Sequence, residues 1–304
     1  MTRYIARRVV EFIPVLLAII TLTFFLVRLA PGGPFAADKR VPPQVLRQLE
    51  AHYNLDAPLW RQYTDYLGGV VRGDLGPSFR KPSRTVREWI LLRLPVSLEL
   101  GAYSVLVAVG LGLMAGLVAA LKPNSWLDHV PMALAMAGIC IPNFVLGPLL
   151  VLVFSLWLGW LPVAGWDTAA QKILPSVTLG AMYAAYVARL TRSGMLEVLS
   201  QDFIRTARAK GLSEAAVVLK HGLRGGVQPV VAFLGPATAA LLTGSFVVET
   251  IFQVPGLGRE FVEAAFNRDY TMILGTVIVF AALVLLFNLA ADVMHAWLDP
   301  RIRR

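Results

Sequence analysis

Long apolar runs, nearly free of charged residues, constrain the fold of this chain more than any other feature. A helix of about 20 such residues can cross a lipid bilayer, where the backbone must satisfy its own hydrogen bonds. Five such runs are Phe12 to Val27, Leu98 to Leu121, Ile173 to Leu190, Val227 to Phe252 and Tyr270 to Met294. Only 15% of the 304 residues are charged, too few to cover a water-soluble surface. The sequence therefore predicts an all-α integral membrane protein.

A sixth apolar run, Val130 to Pro162, is too long for one upright helix and too short for two spans joined by a turn. Because Pro142 and Pro148 lie inside it, we expect one kinked or tilted helix that crosses the membrane once. The predicted total is therefore six spans.

Basic residues orient these spans. The formal net charge is +9, and cytoplasmic segments of membrane proteins carry an excess of Lys and Arg. With six spans, the basic segments fall on one side, and their residues are Arg3, Arg7 and Arg8, then Arg192, Arg205, Arg208, Lys210, Lys220 and Arg224, then Arg301, Arg303 and Arg304. We predict that both termini are cytoplasmic, and that this charge faces the cytoplasm and membrane lipid rather than nucleic acid.

The predicted organisation has four parts. An N-terminal transmembrane helix occupies residues 1–30 and a periplasmic helical loop occupies 31–95. The membrane core occupies 96–294 and contains a cytoplasmic loop at 192–226, and a cytoplasmic tail occupies 295–304.

The external loop shows helical signals. After Pro58, apolar residues recur at helical spacing, namely Leu59, Tyr63, Tyr66, Leu67, Val70 and Val71. Thr85 and Glu88 form a capping box, and we expect the amphipathic helix behind it to lie in the outer interface and to end at Pro95, with Ser97 capping the next span. Two interpretations of the loop remain open: a docking surface for an external partner, or a small lid that packs on the spans.

The stretch Asp202 to Gly226 is the most informative for function. Its first half predicts a short helix that ends with Gly211 just beyond it, and Ser213 can cap a second short helix with Glu214 in its first turn. Such a pair of helices, joined by a glycine turn and too polar to enter the membrane, would present its tip to a partner as a rigid body.

This stretch resembles the EAA loop of ABC importer permeases, whose pattern is E-A-A-x-x-x-G followed nine residues on by I-x-L-P. Ala207, Gly211 and Leu223 match that pattern. Arg205, Thr206, His221 and Arg224 depart from it in the way that is usual in the peptide permease branch. The resemblance implies a coupling helix seated in a cleft of an ATPase subunit, and it gives this role to Arg205, Thr206, Ala207, Lys210, Gly211, Leu212, Ser213, Glu214, Leu223 and Arg224.

The resemblance extends over nearly the whole chain. Its further motifs are Leu29-Ala30-Pro31-Gly32, Gly73-Asp74-Leu75-Gly76-Pro77-Ser78-Phe79, Trp160-Leu161-Pro162, Val248-Glu249-Thr250-Ile251-Phe252, Pro255-Gly256-Leu257-Gly258, Asn267-Arg268-Asp269-Tyr270 and Leu298-Asp299-Pro300-Arg301-Ile302-Arg303. Together they resemble the B-type permease subunit of oligopeptide transporters.

That resemblance implies a six-helix type I importer arrangement in the bacterial inner membrane. It also implies a homologous second permease subunit, two ATPase subunits and an external peptide-binding protein. Dipeptide, glutathione, nickel and peptide-like antibiotic permeases share the same motifs, and the segment Pro31 to Phe79 looks most like the oligopeptide branch.

Polar residues within the apolar runs are candidates for a transport pathway, because an unpaired charge in lipid is costly. Asn143, beside Pro142, is the strongest candidate, and Glu249 and Asn288 are others. Glu249, near an outer membrane edge, could also simply be solvated. Small residues that would allow close helix packing are Gly110, Gly112, Gly116, Gly235 and Gly244.

Several enzyme signatures are missing from the sequence. There is no G-x-x-x-x-G-K-[ST] phosphate loop, no H-E-x-x-H zinc motif and no G-x-S-x-G nucleophile turn. We therefore predict no catalytic residue, no metal site and no cofactor on this chain, with ATP and Mg²⁺ bound by partner ATPases. A secondary transporter that works alone is the alternative class, but the two halves of the chain show no matching broken spans.

Overall fold

Every regular element among the residues that the computed structural model describes, 2–30, 33–35, 43–243 and 246–298, is a helix. In chain order the helices are α1 (Thr2–Leu29), α2 (Pro43–His52), α3 (Leu59–Val71), α4 (Val86–Leu121), α5 (Trp126–Cys140), α6 (Asn143–Leu150), α7 (Ala169–Leu199), α8 (Asp202–Ala209), α9 (Glu214–Ala216), α10 (Leu223–Gly226), α11 (Gln228–Leu242), α12 (Phe246–Ile251), α13 (Leu257–Asn267) and α14 (Tyr270–Leu298). Two π-helical segments, Val151–Trp157 and Val217–Gly222, continue α6 and join α9 to α10. The motif residues Pro31 and Gly32, the packing candidate Gly244 and the tail from Asp299 onward lie outside the described residues.

Four of the predicted membrane spans are present as single helices. Four helical stretches are each long and apolar enough to cross a bilayer, namely Val10–Leu29, Val86–Leu121, Ala169–Leu199 and Tyr270–Val293. Two bent pairs pass the same test, namely Trp126–Cys140 with Asn143–Trp157 and Glu214–Gly226 with Gln228–Leu242. With each pair counted as one span, the described residues contain up to six spans, in agreement with the predicted all-α fold. The predicted span Val227 to Phe252 differs in its bounds, because α11 ends at Leu242 and a separate helix begins at Phe246.

The expectation of a single kinked helix across 130–162 was wrong. α5 ends at Cys140, a new helix begins at Asn143, and the chain bends by 118° between them. The residue before a proline is pushed away from helical geometry, and Ile141 is extended, with φ −87° and ψ 117°. Pro142 is the N-cap of α6, and its carbonyl accepts from the N–H groups of Val145 and Leu146.

The described residues form two compact units, the first within 1–97 and 255–286 and the second within 98–254 and 287–304. In the first unit, the predicted apolar face of α4 is present. Val86 and Ile90 are buried against Leu257 and Ala264 of α13 and against Met272 of α14. This packing agrees with the lid interpretation of the external loop, while its role in docking stays a prediction.

The capping box at the start of α4 is also present. The Thr85 N–H donates to the Glu88 carboxylate at 3.0 Å, and the Glu88 N–H donates to the Thr85 hydroxyl at 3.3 Å. The turn before it depends on Gly73 and Gly76, whose φ angles of 75° and 81° favour glycine.

The prediction that Pro95 ends this helix was wrong, because α4 runs without a break from Val86 to Leu121. Proline removes one helical hydrogen bond, but Ile90 before it and Leu100 after it are both buried, and this packing holds the helical geometry. Ser97 does not begin a new helix, and its hydroxyl accepts from the N–H of Leu257 at 2.8 Å.

In the second unit, α5, α6, α10, α11 and α12 all pack against α7. Gly112 lies so close to α7 that a Cβ atom there would be 2.7 Å from the Ala184 carbonyl, and Gly116 is equally close to Ala188. These two positions confirm the predicted close helix packing. Gly110 does not take part, because no atom lies within 4 Å of its Cβ position, and Gly235 is buried in α11.

Candidate functional site

The segment between α7 and α11 folds as the two-helix element that the sequence predicts. α8 ends at Ala209 with Lys210 as its C-terminal cap, and Gly211 follows with φ 80°. This left-handed conformation is typical of the residue just beyond a helix, where glycine has no Cβ to clash. The Ser213 hydroxyl then accepts from the Ala216 N–H at 3.4 Å and caps α9.

The predicted cytoplasmic segment from Arg192 begins as a helix, because α7 continues to Leu199. Arg192 is a helical residue that pairs with Asp128, a side chain that is only 1% exposed. Its Nε and Nη2 atoms donate to the two carboxylate oxygens at 2.5 and 2.6 Å, and the Asn124 N–H adds a third bond at 2.9 Å. A buried carboxylate needs such partners, so the pair fixes α5 against α7.

A small apolar cluster holds the two short helices together. Ile204 and Ala207 of α8 are buried with Val217, and Val198 and Leu199 of α7 pack against them. Ala207, predicted to contact a partner, therefore faces its own chain. The remaining face of α8 is free to meet another protein.

An ion pair closes the turn on the exposed side. Arg208 donates through Nε and Nη2 to both carboxylate oxygens of Glu214, at 3.1 and 2.6 Å. The hydrogen bond from the Glu214 carboxylate raises the pKa of Arg208 above its ordinary value. Because this fork-shaped pair bridges α8 and α9 across Gly211, it restricts the angle between the two helices.

The base of the element is joined to α7 through glycines. Gly226 lies against Gly194 with backbone touching backbone, and a Cβ atom at Gly225 would be 3.0 Å from the Val198 side chain. Met195 and Val218 are buried beside this contact. Any larger residue at Gly194 or Gly226 would push the element away from α7.

The predicted coupling residues divide into an exposed and a packed group. Leu223 is half-buried and Ala207 is buried. The exposed group consists of Arg205, Thr206, Lys210, Gly211, Leu212, Ser213, Glu214 and Arg224. We call this group, together with Phe203 and Leu219, the loop surface.

Phe203 and Leu219 were missed by sequence reasoning, although they are 48% and 60% exposed. No local signal could have found them, because the neighbouring apolar residues Ile204 and Val218 are buried and the sequence does not distinguish the two kinds. Leu212 is also exposed, at 42%. Exposed apolar side chains among basic ones are typical of a surface that meets another protein.

The three predicted pathway residues lie in different settings. Asn143 is half-buried at the first position of α6, and Asn288 is exposed on α14. Glu249 of α12 is 0% exposed, so the expectation that it is solvated was wrong. Packing of α12 on α6, where the Phe252 ring meets Gly147, encloses this part of α12. The role of Asn143, Glu249 and Asn288 in a pathway stays a prediction.

Two family models match the chain. The first is described as "Binding-protein-dependent transport system inner membrane component" and matches residues 112–304, more than half of the chain. The chain belongs to this family. The second is described as "Binding-prot-dependent transport system membrane comp, N-term" and matches residues 1–101. The predicted recognition as an importer permease is confirmed.

Curated relatives match the permease over its whole length. It is 47% identical to the oligopeptide transport system permease protein OppB of Salmonella typhimurium and 45% identical to that of Haemophilus influenzae, in both cases over 100% of each chain. It is 43% identical to the dipeptide transport system permease protein DppB of Bacillus subtilis, over 100% of this chain and 98% of that one.

Solved structures share the fold. The inward-facing MetNI methionine ABC transporter matches with a TM-score of 0.56 and 20% identity, over 67% of this chain and 94% of that chain. An amino acid ABC transporter with histidines matches with a TM-score of 0.53 and 18% identity, over 68% and 92%. The permease therefore has the fold of ABC importer permeases, as the sequence predicts.

Proposed function

We propose that the chain forms half of a membrane pathway for peptide uptake, with oligopeptides as its main substrates. The observation that carries this proposal is the 45–47% identity, over the full length, to permeases of oligopeptide transport systems. Dipeptides are the second substrate class, because a dipeptide permease is 43% identical over nearly the same length.

The chain works in the bacterial cytoplasmic membrane with both termini in the cytoplasm. Support comes from the charge distribution, since the loop surface carries Arg205, Lys210 and Arg224. The same orientation places the loop 31–95, with the capping box of Thr85 and Glu88, on the side where substrate arrives.

The partners are a homologous permease subunit, two ATP-binding-cassette ATPases and an external peptide-binding protein. ATP and Mg²⁺ bind to the ATPases, because this chain has no phosphate loop. Its own part is mechanical and not catalytic.

The loop surface couples the ATPases to the spans. Closure of the two ATPases displaces α8, and the Arg208–Glu214 pair keeps α8 and α9 at a fixed angle while they move. The glycine contact between Gly194 and Gly226 then passes the displacement to α7. α5, α6, α11 and α12 pack on α7, so its movement repositions the remaining helices of the second unit.

The test has two parts. The tagged chain is extracted from its native membrane in mild detergent, and the proteins that co-purify are identified; uptake of radiolabelled trialanine is then measured in cells with and without the chain. We expect a second permease, two P-loop ATPase subunits and loss of ATP-dependent uptake on deletion. A chain that purifies alone, with uptake driven by an ion gradient, would refute the proposal.

A further inference from the structure

The first unit contains a cavity of about 240 Å³ that the coupling mechanism does not use. Its lining comes from α1, from the end of α2 and its connection to α3, from α3, from the segment before α4 and from the start of α14. The lining residues that matter here are Arg28, Tyr53, Gln62, Tyr66 and Phe79.

The guanidinium group of Arg28 is held in place from two directions. It stacks on the Phe24 ring at 3.6 Å from the ring centroid, and its Nε donates to Oε1 of Gln62 at 3.0 Å. Gln62 is itself fixed, because its Nε2 donates to the carbonyls of Leu55 and Ala57 at 3.0 and 2.8 Å. Arg28 therefore presents its remaining donors in a defined direction.

Two buried polar atoms of these lining residues have no hydrogen-bond partner among the described residues: Nη1 of Arg28 and the hydroxyl of Tyr66. Burial raises the pKa of Tyr66, so the phenol stays protonated and can donate. Buried donors without acceptors are destabilising, and they are common where a ligand completes the bonding.

The chemistry of the lining selects the ligand. A guanidinium N–H and a phenol O–H together fit an oxyanion, and a carboxylate offers two acceptor oxygens to them. The Tyr53 and Phe79 rings, 4.7 Å apart between centroids, form an apolar wall that suits a ligand with a carbon body rather than a hydrated inorganic ion. Asp65, the acidic residue in the lining, is exposed, so water and salt screen its charge.

The cavity volume limits the size of the ligand. Pockets for drug-sized molecules have volumes of about 300 to 1,000 Å³, so this one holds the end of a chain and not a whole oligopeptide.

We propose that this cavity binds the C-terminal carboxylate of a peptide through Arg28 and Tyr66. The proposal rests on the proposed function, because it takes the transported peptide as the ligand. It gives the permease a substrate subsite of its own, beside the last turn of α1 and the first turn of α14.

The test uses the purified full-length chain in lipid nanodiscs of phosphatidylcholine, with trialanine and trialanine amide as probes and calorimetry as the measurement. We expect the free acid to bind at least about tenfold more tightly than the amide, because the amide has lost the charge-assisted bond. Arg28→Gln and Tyr66→Phe should each weaken binding of the acid. Arg61→Gln, which removes an exposed charge from the same α3 helix, should leave the affinity unchanged.

Equal binding of acid and amide would overturn the proposal, as would an unchanged affinity in Tyr66→Phe, which keeps the ring and so preserves the packing. Nanodiscs that contain phosphatidylglycerol test the other source of an oxyanion. If phosphatidylglycerol binds to the unchanged chain and binds more weakly to the same two variants, while trialanine does not bind in phosphatidylcholine alone, the ligand is a lipid phosphate and the peptide proposal fails. Neither ATP nor partners enter this assay, so absent binding alongside normal uptake refutes the subsite alone.

Discussion

Replacement of Gly211 distinguishes two roles of the turn between α8 and α9: its backbone geometry and direct contact with a partner. A Cβ atom built at Gly211 has no atom of the chain within 4 Å, so a side chain has open space there. The cost of a substitution therefore comes from the backbone, because the φ angle of 80° lies in the left-handed region.

The magnitude follows from that conformation. An alanine in left-handed geometry costs about 1 kcal/mol, which lowers the population of the native turn about fivefold. Asparagine tolerates this geometry better than alanine, and β-branched valine tolerates it worse. We expect coupled uptake to be highest in the unchanged chain and to decrease from Gly211→Asn to Gly211→Ala to Gly211→Val. The chain should still be present in the membrane in every variant.

The assay is ATP-dependent uptake of radiolabelled trialanine by the assembled transporter in proteoliposomes, with ATP hydrolysis measured in the same samples. Ala209→Val is the matched control, since it adds a similar side chain at an exposed helical position without turn strain. Turn strain should reduce uptake per ATP hydrolysed. If activity instead falls with side-chain size, so that asparagine is worse than alanine, direct contact with a partner decides the effect and the strain argument is refuted.

Three further predictions concern other parts of the chain. Asp128→Ala should destabilise the protein by about 3 to 5 kcal/mol in thermal unfolding, because Arg192 is left without its carboxylate, and the added change Arg192→Leu should recover part of the loss. Thr85→Ala should cost about 1 kcal/mol through loss of the cap on α4, and an unchanged unfolding midpoint would contradict the role of the capping box. Phe203→Ser should change the free energy of unfolding by no more than about 0.5 kcal/mol while reducing ATP-dependent uptake. Normal uptake would show that Phe203 takes no part in coupling.

Local signals in the sequence predicted local structure correctly. The capping box at Thr85 and the left-handed glycine at Gly211 depend on neighbours within a few residues, so their patterns are complete in a short stretch of sequence. The apolar runs predicted the spans for the same reason, because length and composition alone decide whether a helix can cross a bilayer.

Features that depend on distant residues were not predictable in this way. Arg192 looked like part of a basic loop, because its partner Asp128 is 64 residues away in the sequence. Pro95 looked like a helix end, because the packing that keeps α4 continuous involves Leu257 and Met272, far along the chain. Solvation was one of two interpretations of Glu249, since nothing in its sequence neighbourhood shows that helix packing buries it.

The contact between Gly194 and Gly226 has a consequence for stiffness. Most helix contacts are separated by a layer of side chains that can change rotamer and absorb a small shift, as a spring does. Here two backbones touch directly, with no such layer between them. A push of an ångström on α10 therefore arrives at α7 nearly undiminished, and this part of the molecule behaves as a hard joint rather than an elastic one.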